Sequence, residues 1–535
     1  MALNKDSIEL AVKNIATYGD TDVFPYPFEN HIFHDKPESI VSLIENMDRD
    51  FEVWLFNYPP TYVKSLSTSG YVGFRSPSQI DPFWNAYFLA LTISLADDIE
   101  ASRIPTASNT VFSYRVSMDH VSGALFDPYI GWHQFQNESL NRAKASGFVL
   151  TCDISDFYSR VYHHRLENSL ADASTDIPTI QRIIKLLAKF SDGKSYGIPI
   201  GGPASRILAE SLLNRVDKLL RLEGIPFCRF VDDYHLFAQS KEQAYSYLVT
   251  LSKLLVDNEG LSLQKTKTRI ASKDEFMAVS PIGDGNEVES VAEKEAADFQ
   301  RLRIRYDPYA PTANEDYLAL CEEINKFDIV AMLGRQLLKP RVDESLTRQL
   351  VKAIKFLSPS SRDGAIVSLT KNISTLYPIF PTIAMLFIQV IGDMSVSTRT
   401  IVFETLRSLI RSQSYIVSVS ANLAYAIRVL GYDASLETAT LMAELYKSNH
   451  DDMIRRDIIC AMMRTANRPW ISNLKKNYNS SAPWEKRAFV VASYLLGDEG
   501  RHWRRAISNQ LSPMDKLVNE WAADRKQANK LEGPL

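Results

Sequence analysis

Apolar and polar residues are patterned differently in the two halves of the chain. In the first half, the short apolar runs 148–153 and 225–238 are bounded by turn-forming residues, which is typical of buried strands. Asp232 and Asp233 interrupt the second run, which predicts two strands folded back into a hairpin. From 315 to 500, apolar residues recur at helical spacing and strand signals are scarce. The pattern predicts an α+β region followed by an all-α region.

The helical half shows weak internal similarity. Ile401, Val402, Leu406 and Arg407 in one segment have the same spacing as Ile458, Ile459, Met463 and Arg464 in another. Repeated antiparallel helix pairs are the signature of an α-solenoid, so this half is predicted to be a HEAT-like helical-repeat domain. An irregular helical bundle remains the alternative.

Three aspartates lie at the ends of predicted strands. Asp153 ends the first apolar run, and Asp232 and Asp233 occupy the tip of the hairpin. Neighbouring carboxylates repel one another and lose hydration, so the cluster is costly unless a cation neutralises it. An isolated Asp-Asp pair is usually a solvated turn, but the upstream Asp153 favours a metal site. Between the two acidic sites, a Gly/Pro turn at 197–203 opens an amphipathic helix.

The order of strand and Asp, glycine turn and helix, and Asp-Asp hairpin resembles motifs A, B and C of the palm domain of reverse transcriptases. Residues 260–268, which follow a predicted helix over 241–258, are similar to motif D of that family. The resemblance implies a fingers and palm domain that transfers nucleotides with two divalent cations. Mg²⁺ is the expected cation, with Mn²⁺ as an alternative, because hard cations prefer carboxylate and phosphate oxygens.

The resemblance also assigns roles to single residues. Asp153 and Asp232 would bridge the two metals, Asp233 would be an alternate ligand, and the backbone carbonyl of Ile154 would supply one more oxygen. Lys267, a catalytic candidate, would donate charge or a proton to the departing pyrophosphate, and the nearby Lys265 is an alternative equivalent.

Four further positions would contact the nucleotide. Tyr158 stands where the family has an aromatic gate against the ribose 2′-hydroxyl, which implies selection of deoxynucleotides. Arg115 would grip the triphosphate, with Arg103 as a weaker candidate. In motif B, Gly201 keeps its steric function, but Ile200 replaces the usual Gln and puts template handling in doubt.

Several segments together resemble one subgroup, the bacterial abortive-infection polymerases of the AbiK type and their prophage-encoded relatives. These segments are the apolar motif B, the stretches 19–25 and 111–115, and the helical second half. The subgroup implies antiphage defence, a homo-oligomer, and DNA synthesis from deoxynucleoside triphosphates without a template. It also implies a protein tyrosine as primer, and hence single-stranded DNA covalently attached to the protein. Tyr18, beside a glycine, and Tyr26, between prolines, are the candidates.

Two other functions stay open at this point. A conventional reverse transcriptase would copy RNA from a separate primer. A helical-repeat binding protein would carry the palm only as a degenerate scaffold, although the intact Asp153, Asp232 and Asp233 disfavour this interpretation.

The resemblance divides the chain into four parts. They are an N-terminal segment with the fingers over 1–115, the palm over 116–280, a linker over 281–314, and the helical-repeat domain with a charged tail over 315–535. The length of 535 residues fits two or three domains.

Composition changes this picture little. The formal net charge is −4, so any nucleic-acid surface must be local. The four cysteines are widely spread, which disfavours a zinc site or a disulfide framework. The N-terminus has no signal-peptide pattern and no apolar run is long enough to span a bilayer. The expected location is the cytoplasm, without a membrane partner.

Overall fold

The structure is a computed structural model that describes residues 3–279, 291–302, 304 and 313–531. Most of the predicted linker over 281–314 lies outside the described residues. Two compact units are present. The first consists of Met1–Tyr62, Pro77–Asp284 and Ser512–Met514, and the second of Val63–Ser76, Gly285–Leu511 and Asp515–Leu535.

Helices and strands alternate through the first 279 residues. The strands are β1 (Tyr62–Lys64), β2 (Ser67–Ser69), β3 (Gly73–Arg75), β4 (Ser78–Ile80), β5 (Val116–Asp119), β6 (Ala124–Phe126), β7 (Phe148–Asp153), β8 (Phe227–Phe230), β9 (Asp233–Ala238) and β10 (Arg269–Ser272). The helices are α1 (Lys5–Tyr18), α2 (Asn30–Asp35), α3 (Pro37–Arg49), α4 (Phe51–Asn57), α5 (Pro82–Ser94), α6 (Ala96–Ser102), α7 (Trp132–Lys144), α8 (Phe157–Arg160), α9 (His163–Ala173), α10 (Ile177–Phe190), α11 (Pro203–Leu222), α12 (Lys241–Leu254) and α13 (Lys273–Val279).

A four-stranded antiparallel sheet forms the centre of the first unit. Its strand order is β10-β7-β9-β8, so the strand that ends in Asp153 lies beside the predicted hairpin β8–β9. Helix α7 packs on β8, and α12 packs on β7 and β9. Phe135 of α7 is buried among Val149, Cys228 and Phe237 of the sheet. The apolar runs thus form the strands that the sequence pattern predicts.

Only helices were assigned in the described part of the chain after residue 290. They are α14 (Val291–Arg301), α15 (Ala313–Ile324), α16 (Ile329–Leu337), α17 (Glu344–Ala353), α18 (Pro359–Lys371), α19 (Phe380–Val390), α20 (Val396–Arg411), α21 (Ser420–Leu430), α22 (Leu436–Ser448), α23 (Asp452–Arg464), α24 (Arg468–Leu474), α25 (Pro483–Ala492), α26 (Gly497–Ile507) and α27 (Pro513–Gln527).

Alternate helices of the second unit stack on one another. Helices α17, α19, α21, α23 and α25 contact each other in succession, while α18, α20 and α22 form a second row. Buried ion pairs link neighbours within the first row, such as Arg428 of α21 with Asp457 of α23 at 2.7 Å. The result is a two-layered arrangement of helix pairs.

The second unit also contains a hairpin from the N-terminal half of the sequence. In this hairpin β2 pairs with β3, and Tyr71 in the turn is its anchor. The Tyr71 hydroxyl accepts a hydrogen bond from the Val342 amide at 2.9 Å and donates one to the Thr375 carbonyl at 3.2 Å. Its ring meets that of Tyr377 edge to face at 5.5 Å.

Among the described helices, none combines the length and the apolar composition that a membrane span requires.

Candidate active site

The sheet brings Asp153, Asp232 and Asp233 together. Asp153 at the end of β7 is in register with Asp233 at the start of β9. The hairpin turns at Val231, whose φ of 55° is left-handed, and the next residue is Asp232. One carboxylate oxygen from each aspartate lies within 4.8 Å of the others. Three oxygen donors at this spacing fit a hard divalent cation.

Backbone hydrogen bonds hold these strand ends in place. The amide of Ile154 donates to the carbonyl of Asp232 at 3.1 Å, and the amide of Gln264 donates to the carbonyl of Asp153 at 2.7 Å. The segment that resembles motif D therefore lies beside the first aspartate. Ile154 itself is buried, and its role as a carbonyl ligand stays a prediction.

Lys267 places a cation beside the acidic cluster. Its ammonium nitrogen lies 3.1 Å from Oδ2 of Asp153, while most of the lysine side chain is exposed. Burial, together with the charges of Asp232 and Asp153, raises the pKa of Asp233 to about 7, and Lys267 opposes this shift. The ionised form of Asp233 is therefore disfavoured by burial and by its two carboxylate neighbours, a situation that a bound divalent cation would relieve.

A buried arginine donates a hydrogen bond to the Val231 turn between β8 and β9. Arg229 is fully buried, and its Nη1 donates to the carbonyl of Val231 at 2.8 Å. Its Nη2 lies 2.6 Å from Oδ2 of Asp217 and 2.8 Å from Oε2 of Glu210, both on α11. Arg229 therefore ties the residue before Asp232 to the helix of motif B.

Glu210 has a second set of partners. Arg103 donates to Oε2 of Glu210 at 2.6 Å, and the Ser113 hydroxyl donates to Oε1 at 2.6 Å. Burial alone would raise the pKa of Glu210, but Arg229 and Arg103 outweigh it and hold the pKa below its usual value. This buried carboxylate is therefore ionised and fully paired.

Sequence reasoning missed this network, although it left a signal. Arg229 lies inside an apolar strand run, and a buried arginine requires ionised partners. Glu210 and Asp217 lie seven residues apart on the apolar face of the predicted amphipathic helix. The sequence therefore shows charged residues of opposite sign at apolar positions, but it does not show that Arg229 pairs with Glu210 and Asp217.

Tyr158 lies in the short helix that follows β7. Asp156, with a left-handed φ of 50°, precedes the short helix α8, and Tyr158 is its second residue. Burial, followed by the charges of Tyr114 and Glu210, raises the pKa of Tyr158 well above its usual value, and Asp232 adds to this shift. The hydroxyl is therefore neutral and lies within electrostatic reach of Asp232. Phe157 is buried, as expected for a core aromatic residue.

The glycine turn of motif B contacts residues 21–23. Gly201 has a φ of +110°, and a Cβ atom there would lie 2.6 Å from Oγ1 of Thr21 and 3.1 Å from Oδ1 of Asp22. The Asp22 amide donates to the Gly201 carbonyl at 3.3 Å. Only glycine fits this position, because a side chain would be both strained and blocked. Ile200 precedes it in the same turn.

The two predicted triphosphate-binding arginines have internal partners. Arg115 is buried and donates to Glu100 at 2.9 Å and to the carbonyls of Ile104 and Val111. Arg103 is buried against Glu210 and Glu100. These contacts do not support a role in gripping a triphosphate, which stays a prediction without structural support. Arg206, which sequence reasoning did not select, has a partly exposed side chain.

Both priming candidates lie near the surface. Tyr18 ends α1 and is 47% exposed, and Tyr26 is 45% exposed. The Tyr26 hydroxyl donates to the backbone carbonyl of Tyr18 at 3.2 Å, and its ring fills the space where a Cβ of Gly19 would lie. Burial and the charges of Asp20 and Asp22 raise the pKa of Tyr26.

Residues 102–300 match the family model described as reverse transcriptase (RNA-dependent DNA polymerase). This segment is a reverse transcriptase domain. It contains all three clustered aspartates, Tyr158, Gly201 and Lys267. The predicted resemblance to reverse transcriptases is thereby confirmed at the level of the domain. Polymerases of this family normally use divalent metal ions.

The other comparisons are weaker. The solved structures similar to this chain include telomerase from Candida albicans in complex with a fragment of telomeric RNA, at 10% identity and a TM-score of 0.28, covering 69% of this chain and 68% of that one. Apo telomerase from Candida tropicalis matches at 10% identity and a TM-score of 0.30, covering 71% and 74%. A comparison with curated proteins gave no match.

Proposed function

We propose that the chain is a DNA polymerase of bacterial antiphage defence that adds deoxynucleotides without a template, starting from one of its own tyrosines. The observation that carries the polymerase part is the cluster of Asp153, Asp232 and Asp233 at adjoining strand ends within the reverse transcriptase domain. Nucleotidyl transfer builds negative charge on phosphate oxygens, and a three-carboxylate site suits the cations that stabilise this charge.

The residues of the chain divide the work of the reaction. Asp153 and Asp232 would hold Mg²⁺, which would supply Lewis-acid stabilisation of the attacking and leaving oxygens. Asp233 adds negative charge beside them, and Arg229 fixes the turn that aims Asp232. Lys267, 3.1 Å from Asp153, would neutralise negative charge on the departing pyrophosphate.

Tyr158 selects the sugar of the nucleotide. Its ring is held by the buried Phe157 beside it, with ring centroids 5.3 Å apart. A rigid aromatic side chain at this position would collide with a 2′-hydroxyl. We expect Tyr158→Val to raise ribonucleotide incorporation relative to deoxynucleotide incorporation by at least about tenfold, the usual scale of a steric selection.

The absence of a template and the defence role come from the resemblance to the abortive-infection polymerases. Ile200 supports the first, because an apolar side chain in motif B offers no polar contact to a template base. The two-layered helix stack of the second unit supports the HEAT-like repeat domain of that subgroup. The homo-oligomer is proposed on the same resemblance.

Tyr18 is the first candidate for the primer. Its side chain is half exposed at the end of α1, and it lies four residues from Asp22, which contacts the motif B turn. The Tyr26 hydroxyl is engaged with a backbone carbonyl and has a raised pKa, so it is the less reactive of the two.

The first test uses the purified full chain with Mg²⁺ and labelled deoxynucleotides, without template or primer. On a denaturing protein gel, label should stay with the protein, shift it upward, and disappear with nuclease. Asp232→Ala should abolish the label, because a metal ligand is lost. Asp172→Asn, which removes an exposed carboxylate from α9, is the matched control and should keep it.

Other outcomes select the other functions. Incorporation only with a primed RNA template would identify a conventional reverse transcriptase. A chain that incorporates nothing, and that keeps its effect on phage growth as Asp232→Ala, would be a binding protein with a degenerate palm. Tyr18→Phe should remove the covalent label while an added DNA primer is still extended. If the label persists, Tyr18 is not the primer, and Tyr26→Phe is tested next.

A further inference from the structure

We propose that Arg206 binds the phosphates of the incoming nucleotide and that Asp22 of the N-terminal segment occupies the same guanidinium until the nucleotide displaces it. This inference rests on the proposed polymerase function and assigns to that site a binding residue and an internal competitor. The N-terminal segment is defined here as residues 19–26.

Arg206 lies between the glycine turn of motif B and Tyr114. Arg206 lies in the first turn of α11, directly after the motif B glycines, and its guanidinium carbon is 5.1 Å from the centroid of the Tyr114 ring. The charges of Arg206 and Asp232 both act on Tyr114 and on Tyr158. The charge of Arg206 therefore acts on the same tyrosines as the charge of Asp232, and one of them is the proposed sugar-selecting residue Tyr158.

Arg206 is accessible to a ligand, unlike the other arginines near the site. Arg103, Arg115 and Arg229 all lie near motif B or the sheet, but they are buried and hold internal carboxylates. The side chain of Arg206 is 27% exposed, and its carboxylate partner, Asp22, is 59% exposed. Of these four arginines, only Arg206 can exchange its partner for a ligand without leaving a buried charge unpaired.

The N-terminal segment lies against the glycine turn of motif B. Thr21, Asp22 and Val23 all approach Gly201 closely, and the Asp22 amide donates to the Gly201 carbonyl. The segment therefore covers the glycine turn on the side where Asp22 reaches Arg206. A nucleotide that uses this turn must meet the Asp22 carboxylate.

The exchange is favourable on charge grounds. A carboxylate offers Arg206 one negative charge in a partly exposed ion pair, and such pairs contribute little to stability. A triphosphate offers several charges and oxygens that match the guanidinium fork. The Asp22 carboxylate thus keeps the guanidinium oriented and gives way to the stronger anion.

The experiment measures the KM for a deoxynucleotide in opposite variants of the pair. Arg206→Gln should raise the KM by about 10- to 100-fold, the loss expected for a charge-assisted contact. Asp22→Asn should lower the KM by about two- to fivefold, because the competing charge is gone while the shape is kept. The matched control is another exposed ion pair, Lys185 with Glu52, whose Glu52→Gln variant should leave the KM unchanged.

A second readout does not require catalysis. Calorimetric titration with inorganic tripolyphosphate and no metal should show tighter binding to Asp22→Asn than to the unmodified chain, and weaker binding to Arg206→Gln. An unchanged or higher KM in Asp22→Asn, or unaltered tripolyphosphate binding in Arg206→Gln, would overturn the inference. A chain that binds tripolyphosphate in the expected order but incorporates no nucleotide would instead reject the polymerase function.

Discussion

Replacing Arg229 with Met tests whether the buried ion-pair network next to the Val231–Asp232 turn is essential. The change removes the cation and keeps an unbranched apolar side chain. Glu210 would retain Arg103 at 2.6 Å and the Ser113 hydroxyl, but among the contacts of the described residues Asp217 would keep only the Tyr234 hydroxyl at 3.2 Å. The variant therefore leaves one fully buried carboxylate, that of Asp217, without a cation in direct contact.

The magnitude follows from that loss. Breaking a buried ion pair by removing one partner costs about 3–5 kcal/mol, since the remaining charge cannot return to water. Adding Asp217→Asn to Arg229→Met removes the unpaired charge, so the double variant should recover about half of the loss. Arg160→Met is the control, because Arg160 is 55% exposed and pairs with Asp156 at 3.7 Å. Its expected effect is below about 0.5 kcal/mol.

Urea unfolding of the full chain provides the assay, followed by circular dichroism and by tryptophan fluorescence. Because the chain has two compact units, the transitions are fitted separately, and only the one that contains the sheet should shift. In the remaining folded protein, Mg²⁺-dependent incorporation should also fall, because the Val231 carbonyl has lost its donor. A shift of less than about 1 kcal/mol would refute the reasoning, since it would mean that Asp217 is solvated or neutral.

Three further predictions concern pH and backbone geometry. Because an ionised Asp233, whose pKa is about 7, would add negative charge beside the proposed metal ligands, calorimetry at pH 6, 7 and 8 should show Mg²⁺ affinity rising up to about pH 7 and levelling off above it, and Asp233→Asn should abolish this rise. Burial lowers the pKa of His235 to about 4, so the unfolded chain gains a proton first as the pH falls. The free energy of unfolding, measured by urea titration, should drop between about pH 6.5 and 4 by at most about 3 kcal/mol, and a His235→Gln variant that kept the full pH dependence would contradict this. Gly201→Ala should cost more than Gly193→Ala in thermal unfolding, since both glycines have positive φ but a Cβ on Gly193 meets open space; equal losses would argue against contact with the N-terminal segment.

The strand ends and the acidic turn could be predicted because they depend on local pattern. The apolar runs that end at Asp153 and surround Asp232 form β7, β8 and β9, and the helix predicted over 241–258 is α12 with a one-turn extension. Each of these elements follows from residue spacing within a short window. The family model that matches residues 102–300 agrees with the motif order.

The partners of charged residues could not be predicted, because they depend on packing between distant segments. Asp22 and Arg206 are separated by 184 residues, and Arg115 finds Glu100 and two carbonyls instead of an open cleft. Sequence reasoning selected Arg115 by its motif position, but motif position says nothing about burial. The hairpin around Tyr71 is similar, since its contacts with Tyr377 cross 306 residues.

Helix α11 joins the two halves of the candidate site. Arg206 and Glu210 are four residues apart, so they lie on one face of the helix and are separated by about 6 Å along its axis. Glu210 pairs with Arg229, which holds the turn before Asp232, while Arg206 contacts Tyr114, whose charge acts on Tyr158. One rigid element therefore sets the distance between the proposed phosphate contact and the proposed metal ligands. This explains why the helix carries charges on a face that its apolar periodicity would otherwise reserve for the core.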